Sequence, residues 1–398
     1  MKLRLLIVAT VMAVAASVPS AGRSAGVLAA SSTSLPVWDD FSGGFTVGTP
    51  TAKWFYFQAG SYIGDDGITK TGPHGGLAVV PTGTNPTTGL PAFVRTLGQE
   101  QLNGGLPGGL DHVKWLVYMN HTASSGYPGF DAVPGQELVC QATLSGQTFG
   151  TSPNPFCAAA PTPSDDLRLA GIAMNVIDFQ TYMVFDVWYT DTHIYAFYEH
   201  LPFGRKSMGG SYDEYAAFSY AIPIASRTPG DVHTVAVAYD KAAGTVRWSV
   251  DGSVKFSVGN LGYRIARRYM LLDHGGTEEH FSPKQLDCGM GMFTLLDGHG
   301  PLNKGLVRLS SAANFYFNPA VGAPRVETFV DDRSRHANRI FGQGAVLHVQ
   351  KYQVGLVKGE QQLPSTGMSE FLIVRLAALG LVALCAGLGL CRHARAAA

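Results

Sequence analysis

The densest cluster of polar side chains in the sequence is DHGGTEEH, residues 273–280. The carboxylates of Asp273, Glu278 and Glu279 are the ligand type that Ca²⁺ prefers, so one hypothesis is a calcium site. A second hypothesis is hydrolysis, with Glu278 or Glu279 and Asp297 as a catalytic pair of carboxyl groups. The third is that these side chains only hydrogen-bond to turns and sheet edges.

Two tryptophans and a histidine are candidate ligand-binding residues. Trp115 and Trp188 lie on strand-like segments, where an exposed indole can stack on a sugar ring, although such residues more often belong to the core. Trp188 and Asp186 share one face of their strand because side chains two positions apart point to the same side. His274 is the third candidate, and its spacing from His280 matches no usual zinc motif.

Neither the composition nor the motifs predict a nucleic-acid or nucleotide ligand. The sequence has 29 basic and 29 acidic residues, a balance that gives no attraction for a polyanion. It contains no G-x-S-x-G, no Walker or dinucleotide-binding loop, and no Cys/His arrangement with the spacing of a known enzyme family.

The segments that must position these residues are predicted to be β-strands. Along residues 232–258, VHTVAVAYDKAAGTVRWSVDGSVKFSV, apolar and polar residues alternate on both sides of an Asp251-Gly252 hairpin turn. A second such unit covers residues 182–201. Frequent short strands, 48 glycines and only 15% charged residues favour a sandwich of antiparallel sheets.

Two patterns resemble a particular kind of sandwich. H-T-x-A-V-x-Y at residues 233–239, followed by V-D-G at 250–252, resembles paired strands of concanavalin A-like jelly rolls, which include laminin G modules and β-glucanases. The segment PVWDDFSGGF, residues 36–45, resembles the start of those glucanases. The resemblance implies an all-β jelly roll of antiparallel sheets rather than an immunoglobulin-like sandwich.

The glucanases of this fold carry E-x-D-x-E on one strand, with the first carboxylate as nucleophile and the last as acid/base. The similar segment here is VIDFQ, which keeps Asp178 but has Val176 and Gln180 at the two working positions. The resemblance therefore implies that the glucanase mechanism is absent. Asp178 remains a catalytic or ligand-binding candidate and Gln180 a ligand-binding candidate. The alternative is an ordinary half-buried strand, with Asp178 bound by backbone groups.

Segments along most of the chain are similar to a family of secreted, mainly actinobacterial proteins, domain of unknown function family 6081. They are WDDFSGGF, KWFYF, GLPGGLDHVKWLVYMNH, SSGYPGFDAVPG, HIYAFYEHLPFGR, YMLLDHGGTEE, LDCGMGMFTLLDG and TFVDDRS. The similarity implies one domain between the two terminal segments and a bacterial origin. It implies no activity.

Residues 1–30 are typical of a secretory signal peptide. Two basic residues precede an apolar run at 5–18, which is short for a membrane span, and small residues follow. The sequence therefore predicts secretion, with cleavage between positions 20 and 30.

Three cysteines, Cys140, Cys157 and Cys288, lie outside the apolar ends. In an oxidising compartment Cys140 could pair with Cys157, which would leave Cys288 as a buried free thiol, or it could pair with Cys288. The sequence does not choose between the two pairings.

The C-terminal part has LPSTG at 363–367, an apolar segment at 368–391 and a basic tail at 392–398. This order resembles the cell-wall sorting signal of Gram-positive surface proteins. The alternative is a plain membrane anchor, because an apolar segment of this length can span a bilayer and the basic tail fits a cytoplasmic end.

The resemblance assigns a role to each residue of the motif. Leu363 would fill an apolar pocket of a sortase, Pro364 would preset the bend of the peptide, and Ser365 stands at the variable position. The sortase thiolate would attack the carbonyl carbon of Thr366 and release the chain from Gly367 onwards. An amine of cell-wall peptidoglycan would then accept the acyl group.

The sequence thus predicts a secreted surface protein with an ectodomain at 31–355 and a short spacer at 356–362. Our leading hypothesis for the ectodomain is binding of carbohydrate or wall polymer without turnover. The second is a glycoside hydrolase or lyase that acts on a polysaccharide, and the third is a structural or adhesion protein of the wall. The one cofactor considered is calcium.

Overall fold

The computed structural model of the protein describes residues 34–358, and most of their regular structure is β-strand. The strands in chain order are β1 Val37–Asp39, β2 Trp54–Tyr56, β3 Gln58–Ala59, β4 Tyr62–Ile63, β5 Ile68–Thr71, β6 Leu77–Val80, β7 Gly83–Thr84, β8 Pro91–Ala92, β9 Val113–Met119, β10 Phe130–Asp131, β11 Gln136–Phe149, β12 Gly171–Ile177, β13 Met183–Val184, β14 Val187–Tyr189, β15 His193–His200, β16 Phe218–Ser226, β17 His233–Asp240, β18 Thr245–Val250, β19 Ser253–Val258, β20 Met270–Asp273, β21 Gln285–Phe293, β22 Gly305–Val307, β23 Phe329–Asp331 and β24 Gly344–Lys358. The helical segments in this range are the α-helix α1 at His336–Arg339 and 3₁₀ turns at Glu100–Leu102, Gly108–His112, Cys157–Ala159, Pro202–Gly204, Lys206–Met208, Arg267–Tyr269 and Pro301–Asn303.

Two antiparallel sheets contain most of the strands. The back sheet has the order β19-β18-β17-β11-β24-β6-β5, with β1 also paired to β24. The front sheet has the order β2-β9-β21-β12-β13-β15-β16-β20, with β10 on β21 and β14 paired to both β12 and β15. Many neighbours in each sheet are far apart in the chain, as a jelly roll requires. The predicted jelly-roll sandwich of antiparallel sheets is confirmed.

The core lies between the two sheets. Alternate side chains of the back sheet, such as Val237 and Trp248, form one buried cluster with Met174 and Met290 of the front sheet. Trp115 of β9 belongs to the same cluster and is fully buried. Its indole therefore contributes to the core, and it is not available to stack on a sugar ring.

One disulfide crosses this core. It joins Cys140 of β11 to Cys288 of β21, so the second of the two pairings considered from the sequence is the one present. Cys157 is a free, exposed thiol. The bridge ties the back sheet to the front sheet between positions separated by 148 residues.

The predicted signal peptide, sorting motif, apolar segment and basic tail lie outside the described residues. Strand β24 continues to Lys358, three residues into the segment that the sequence assigned to a spacer. Among residues 34–358, no helix is long and apolar enough to cross a membrane.

Candidate active site

A cavity of about 450 Å³ lies on the outer face of the front sheet, opposite the core. Its floor residues come from neighbouring strands, because side chains alternate between the two faces of a sheet. They are Tyr118, Asn175, Asp186, Glu199 and Ser219. The volume is in the range of small-molecule and sugar sites.

The walls of the cavity are mostly aromatic. Strands β14, β15 and β21 and several loops, including the turn between β12 and β13, build them. The aromatic lining residues beyond the floor are Phe57, Phe179, Tyr182, Trp188, Phe197, Phe203, Phe293 and Phe315. Aromatic faces of this kind suit the apolar C–H surfaces of sugar rings. The structure therefore combines an aromatic wall with an acidic floor.

Trp188, predicted as a ligand-binding residue, lines this cavity. Its indole stacks on Phe197 at 5.1 Å between ring centroids and packs against Phe293 at 5.3 Å. The indole N–H and the amide oxygen of Asn175 are buried and have no hydrogen-bond partner among the described residues. The indole N–H edge lies over Gly171, so the unpartnered polar atom on a cavity-lining side chain beside Asp186 is the Asn175 amide oxygen.

Asp186 and Glu199 form a buried carboxyl pair on the floor. The backbone N–H of Phe197 donates to the carbonyl oxygen of Asp186 at 2.9 Å, which places Asp186 beside the strand that carries Glu199 two residues later. The Asn175 side-chain amide donates to Asp186 Oδ2 at 2.6 Å, and the Val176 N–H donates to Oδ1 at 2.8 Å. Asp186, between β13 and β14, and Glu199, on the neighbouring strand β15, therefore both line one cavity.

The surroundings of this pair favour its protonated forms. Burial raises the pKa of Glu199 to about 7, although a hydrogen bond with Ser219 and the nearby His112 act in the opposite direction. Burial and then repulsion from Glu199 raise the pKa of Asp186 well above its usual range. The pair therefore retains a proton near neutral pH, which is the state that general acid and base catalysis uses.

This raised pKa predicts a pH-dependent cost in stability that the Glu199→Gln variant should lack. The unfolded chain releases the Glu199 proton near 4.5, whereas the folded protein keeps it to about 7, so the free energy of unfolding should decrease as pH rises between these values. The variant should gain on the order of 3 kcal/mol relative to wild type at pH 8, and far less at pH 4. Urea unfolding at the two pH values measures the difference, and an equal effect at both would contradict it.

A second charged pair lies in the same cavity. His112 Nε2 is 2.5 Å from Asp297 Oδ1, and the Tyr316 hydroxyl donates to Asp297 Oδ2 at 2.7 Å. Burial opposes the charged form of His112, but the Asp297 carboxylate outweighs it and raises the pKa of His112. Burial likewise opposes ionisation of Asp297, yet His112 and Tyr316 together lower its pKa. Asp297, predicted as a catalytic candidate, is thus in the cavity but neutralised by His112.

His274, also predicted from the sequence, lines the cavity as a neutral side chain. Its Nδ1 is 2.6 Å from the carbonyl oxygen of Phe315, so Nδ1 carries the proton and donates it. Burial lowers the pKa of His274 to about 4. The Nε2 atom is therefore unprotonated at neutral pH.

Asp273, Glu278 and Glu279, the predicted calcium ligands or catalytic acids around His274, lie outside the cavity. Asp273 accepts hydrogen bonds from Arg264 Nη2 at 3.1 Å and Arg267 Nη1 at 2.9 Å. Glu278 is exposed and accepts from the Arg264 N–H at 2.9 Å, while Glu279 is exposed. None of the three lines the cavity, and residues 34–358 contain no group of three or more potential ligands close enough to hold a metal ion. The structure does not assemble the hypothesised calcium site.

Asp178 and Gln180 lie in the turn between β12 and β13, outside the cavity lining. Asp178 is fully buried and accepts from the Gln180 N–H at 3.0 Å, from the Thr181 hydroxyl at 2.7 Å and from the Gln285 amide. Its role is to close the turn. The alternative from the sequence, a half-buried strand with Asp178 bound by backbone groups, fits only in part: Asp178 lies after the strand, and two of these three donors are side chains.

The fold and this site together define a jelly-roll protein with an acidic, aromatic-lined cavity on the outer face of one sheet. The chain belongs to the family of unknown function DUF6081, whose sequence profile matches residues 38–357. The uncharacterized protein L829 of Acanthamoeba polyphaga mimivirus is 28% identical over 340 residues, which covers 63% of this chain and 76% of that protein.

Several solved structures are similar in fold. Alginate lyase A1-II′, of polysaccharide lyase family 7, matches 73% of this chain and 84% of its own, with a TM-score of 0.34 and 8% identity. The endo-1,3-β-glucanase of Streptomyces sioyaensis matches 73% of this chain and 79% of its own, with a TM-score of 0.34 and 12% identity. A β-glucanase of Bacillus licheniformis matches 72% and 81%, with a TM-score of 0.30 and 8% identity.

Proposed function

We propose that the protein cleaves glycosidic bonds in a polysaccharide, with Asp186 and Glu199 as the acid and base. The single observation that carries this proposal is the buried carboxyl pair, which retains a proton near neutral pH in a cavity of ligand size. Hydrolysis and elimination both need one group that donates a proton to the departing oxygen and one that accepts a proton. A pair in which one carboxyl is protonated and the other can ionise supplies both.

The same pair favours an enzyme over the binding function that led among the hypotheses from the sequence. Burying two carboxyl groups side by side costs stability, because each loses hydration and repels the other. A protein that only held sugars against aromatic rings would need hydrogen bonds but no such pair. Strongly shifted pKa values in a cavity are typical of catalytic groups.

The aromatic wall, which includes the Trp188 ring, would hold the sugar, and one polar side chain would orient it. The Asn175 amide oxygen is unpartnered among the described residues, and Asn175 lines the cavity. A sugar hydroxyl can donate to that oxygen. Because Asn175 also donates to Asp186, a sugar bound there would sit directly beside the carboxyl pair.

The test is incubation of the full-length protein with a panel of plant, algal and cell-wall polysaccharides, followed by mass spectrometry of the soluble glycans. We expect shortened products from at least one polymer, and none after Glu199→Gln. Retention of intact glycans without any shortening would instead indicate a carbohydrate-binding protein. If neither occurred, the cavity would have another ligand.

We further propose secretion and attachment to the cell wall. The support is the sequence alone: the signal-peptide pattern at 1–30 and the LPSTG motif before the apolar segment. Cell fractionation of the wild type and of Thr366→Ala tests this, since the variant should leave the peptidoglycan-bound fraction.

A further inference from the structure

The charges that line the cavity are unequal in sign. Its titratable acids are Asp186, Glu199 and Asp297, and its histidines are His112 and His274. Among the described residues that line it, none is a lysine or an arginine. The histidines are thus the sole source of positive charge in that lining.

Those histidines leave no free positive charge for a ligand. His112 carries a raised pKa, but its charge is compensated by Asp297 at 2.5 Å. His274 is neutral, because burial lowers its pKa to about 4. The Asp186–Glu199 pair keeps the Asp186 proton, and because the pKa of Glu199 is about 7 the pair carries a partial negative charge at neutral pH that no lysine or arginine of the described lining offsets.

Cationic side chains next to the cavity are occupied elsewhere. Lys114 is fully buried and pairs with Asp111 at 3.2 Å. Arg205 donates from Nη1 to the carbonyl oxygen of His274 at 2.9 Å, and from Nη2 to the carbonyl oxygens of Gly275 and Tyr215. Neither side chain lines the cavity, so neither can receive a carboxylate bound there.

We infer that the substrate is a polysaccharide of uncharged sugars and that the bond is broken by hydrolysis. This inference rests on the proposed glycosidic cleavage and specifies it. A uronic acid would bring its C6 carboxylate into a negatively charged, desolvated cavity, where repulsion between like charges is strong. A hexose has a neutral CH₂OH group at the same position, which the aromatic wall and the unpartnered Asn175 amide oxygen can accommodate.

Elimination would also have to proceed without a free cation in the described lining of the cavity. In that reaction a base removes the proton at C5, the C4–O bond breaks, and a double bond forms between C4 and C5. The carbanion character that develops next to the C6 carboxylate must be stabilised by a cation or by donors. The cavity contains no uncompensated cation among its described lining residues.

Hydrolysis uses only what the cavity holds, together with water. The protonated carboxyl of the pair donates its proton to the glycosidic oxygen as the C1–O bond breaks. The ionised partner accepts a proton from a water molecule, whose oxygen forms the new bond to C1. One water is consumed, and the pair again holds one proton.

The experiment compares polysaccharides that differ only in oxidation at C6: β-1,4-mannan with β-1,4-polymannuronate, and β-1,4-glucan with β-1,4-polyglucuronate. The full-length protein should cleave a member of the neutral set at least about 100-fold faster than its oxidised partner. The products should lack the ultraviolet absorbance of a 4,5-unsaturated sugar and should carry ¹⁸O when the reaction is run in labelled water.

The outcomes separate this inference from the function on which it rests. Cleavage of a uronate polymer into unsaturated products would overturn the inference and leave glycosidic cleavage intact. If no polymer in either set were cleaved, both the inference and the proposed glycosidic cleavage would be contradicted.

A binding measurement gives a readout that does not depend on turnover. In the protein that keeps Glu199 and its charge, Met208→Lys places a cation at the half-buried edge of the cavity, and Met208→Gln is its uncharged control. The lysine should tighten binding of the oxidised oligosaccharide about 10-fold and leave that of the neutral one within 2-fold. Tight binding of the oxidised ligand before the lysine is added would contradict the inference.

Discussion

Replacing Glu199 by Gln should lower kcat roughly 1000-fold on whichever polysaccharide the protein cleaves. Gln fills the same space and can keep the contact with Ser219, but it cannot gain or lose a proton at neutral pH. KM should change little, because sugar binding depends on the aromatic wall and on Asn175 and Trp188. Initial rates of reducing-end release measure the effect. Since Glu199→Gln should also be the more stable protein at pH 8, lost activity could not be attributed to unfolding.

The matched control is Glu278→Gln, the same chemical change at an exposed position outside the cavity. It should keep wild-type activity, and Asp186→Asn should lose about as much activity as Glu199→Gln. An aryl glycoside with a good leaving group then assigns the two roles. Its phenolate departs without a proton from a general acid, so the variant that lacks the acid should regain rate on this substrate. The variant that lacks the base should not. Equal activity of Glu199→Gln and Glu278→Gln would remove Glu199 from the mechanism.

Removing the Cys140–Cys288 bridge, as Cys140→Ala together with Cys288→Ala, should lower the free energy of unfolding by about 5 kcal/mol. The bridge closes a loop of 148 residues, and the entropy that it removes from the unfolded chain increases with loop length. Both sulfur atoms also lie in the core between the sheets, so replacing them leaves a small void. Urea unfolding of the two proteins under non-reducing conditions measures the loss.

Cys157→Ala is the control, because its thiol is exposed and unpaired. It should leave the unfolding midpoint unchanged, and reductant should shift the midpoint of this variant as much as that of wild type. A wild-type protein indifferent to reductant would show that the bridge does not form in solution.

The strand pattern predicted the fold well because it depends on local sequence. Residues 232–258 form β17, β18 and β19 with the turn at Asp251-Gly252, as the alternation and the turn residues indicated. The order of the strands could not be read in the same way. For example, β11 pairs with β24, about 200 residues later in the chain, and nothing in either segment specifies that partner.

The site was predicted only in part. Trp188, His274 and Asp297 do line the cavity, yet the carboxyl pair was missed, although Asp186 was noted on the face of Trp188. Glu199 looked like any strand residue, since its pKa depends on burial by loops distant in sequence. A signal was present in HIYAFYEH, where Glu199 continues the outward face of Tyr195 and Phe197 in an otherwise apolar strand.

The polar cluster at 273–280 misled the prediction for the opposite reason. Density of carboxylates along the chain says nothing about what faces them, and Arg264 and Arg267 lie on a separate segment. Asp178 was likewise indistinguishable from a working carboxylate until its three donors were seen. In each case the sequence shows the carboxylate, but only the structure shows which donors bind it.

The pairing of β1 with β24 brings the two ends of the described domain together. Val37 lies opposite Gln353, whose side-chain amide also donates to the carbonyl oxygen of Leu35 at 2.7 Å. From Gln353 the last strand runs on to Lys358, a distance of about 17 Å. A linker of a few residues could therefore close the domain into a ring, so its chain could be circularly permuted, or the whole unit inserted into a surface loop of another protein as a cassette.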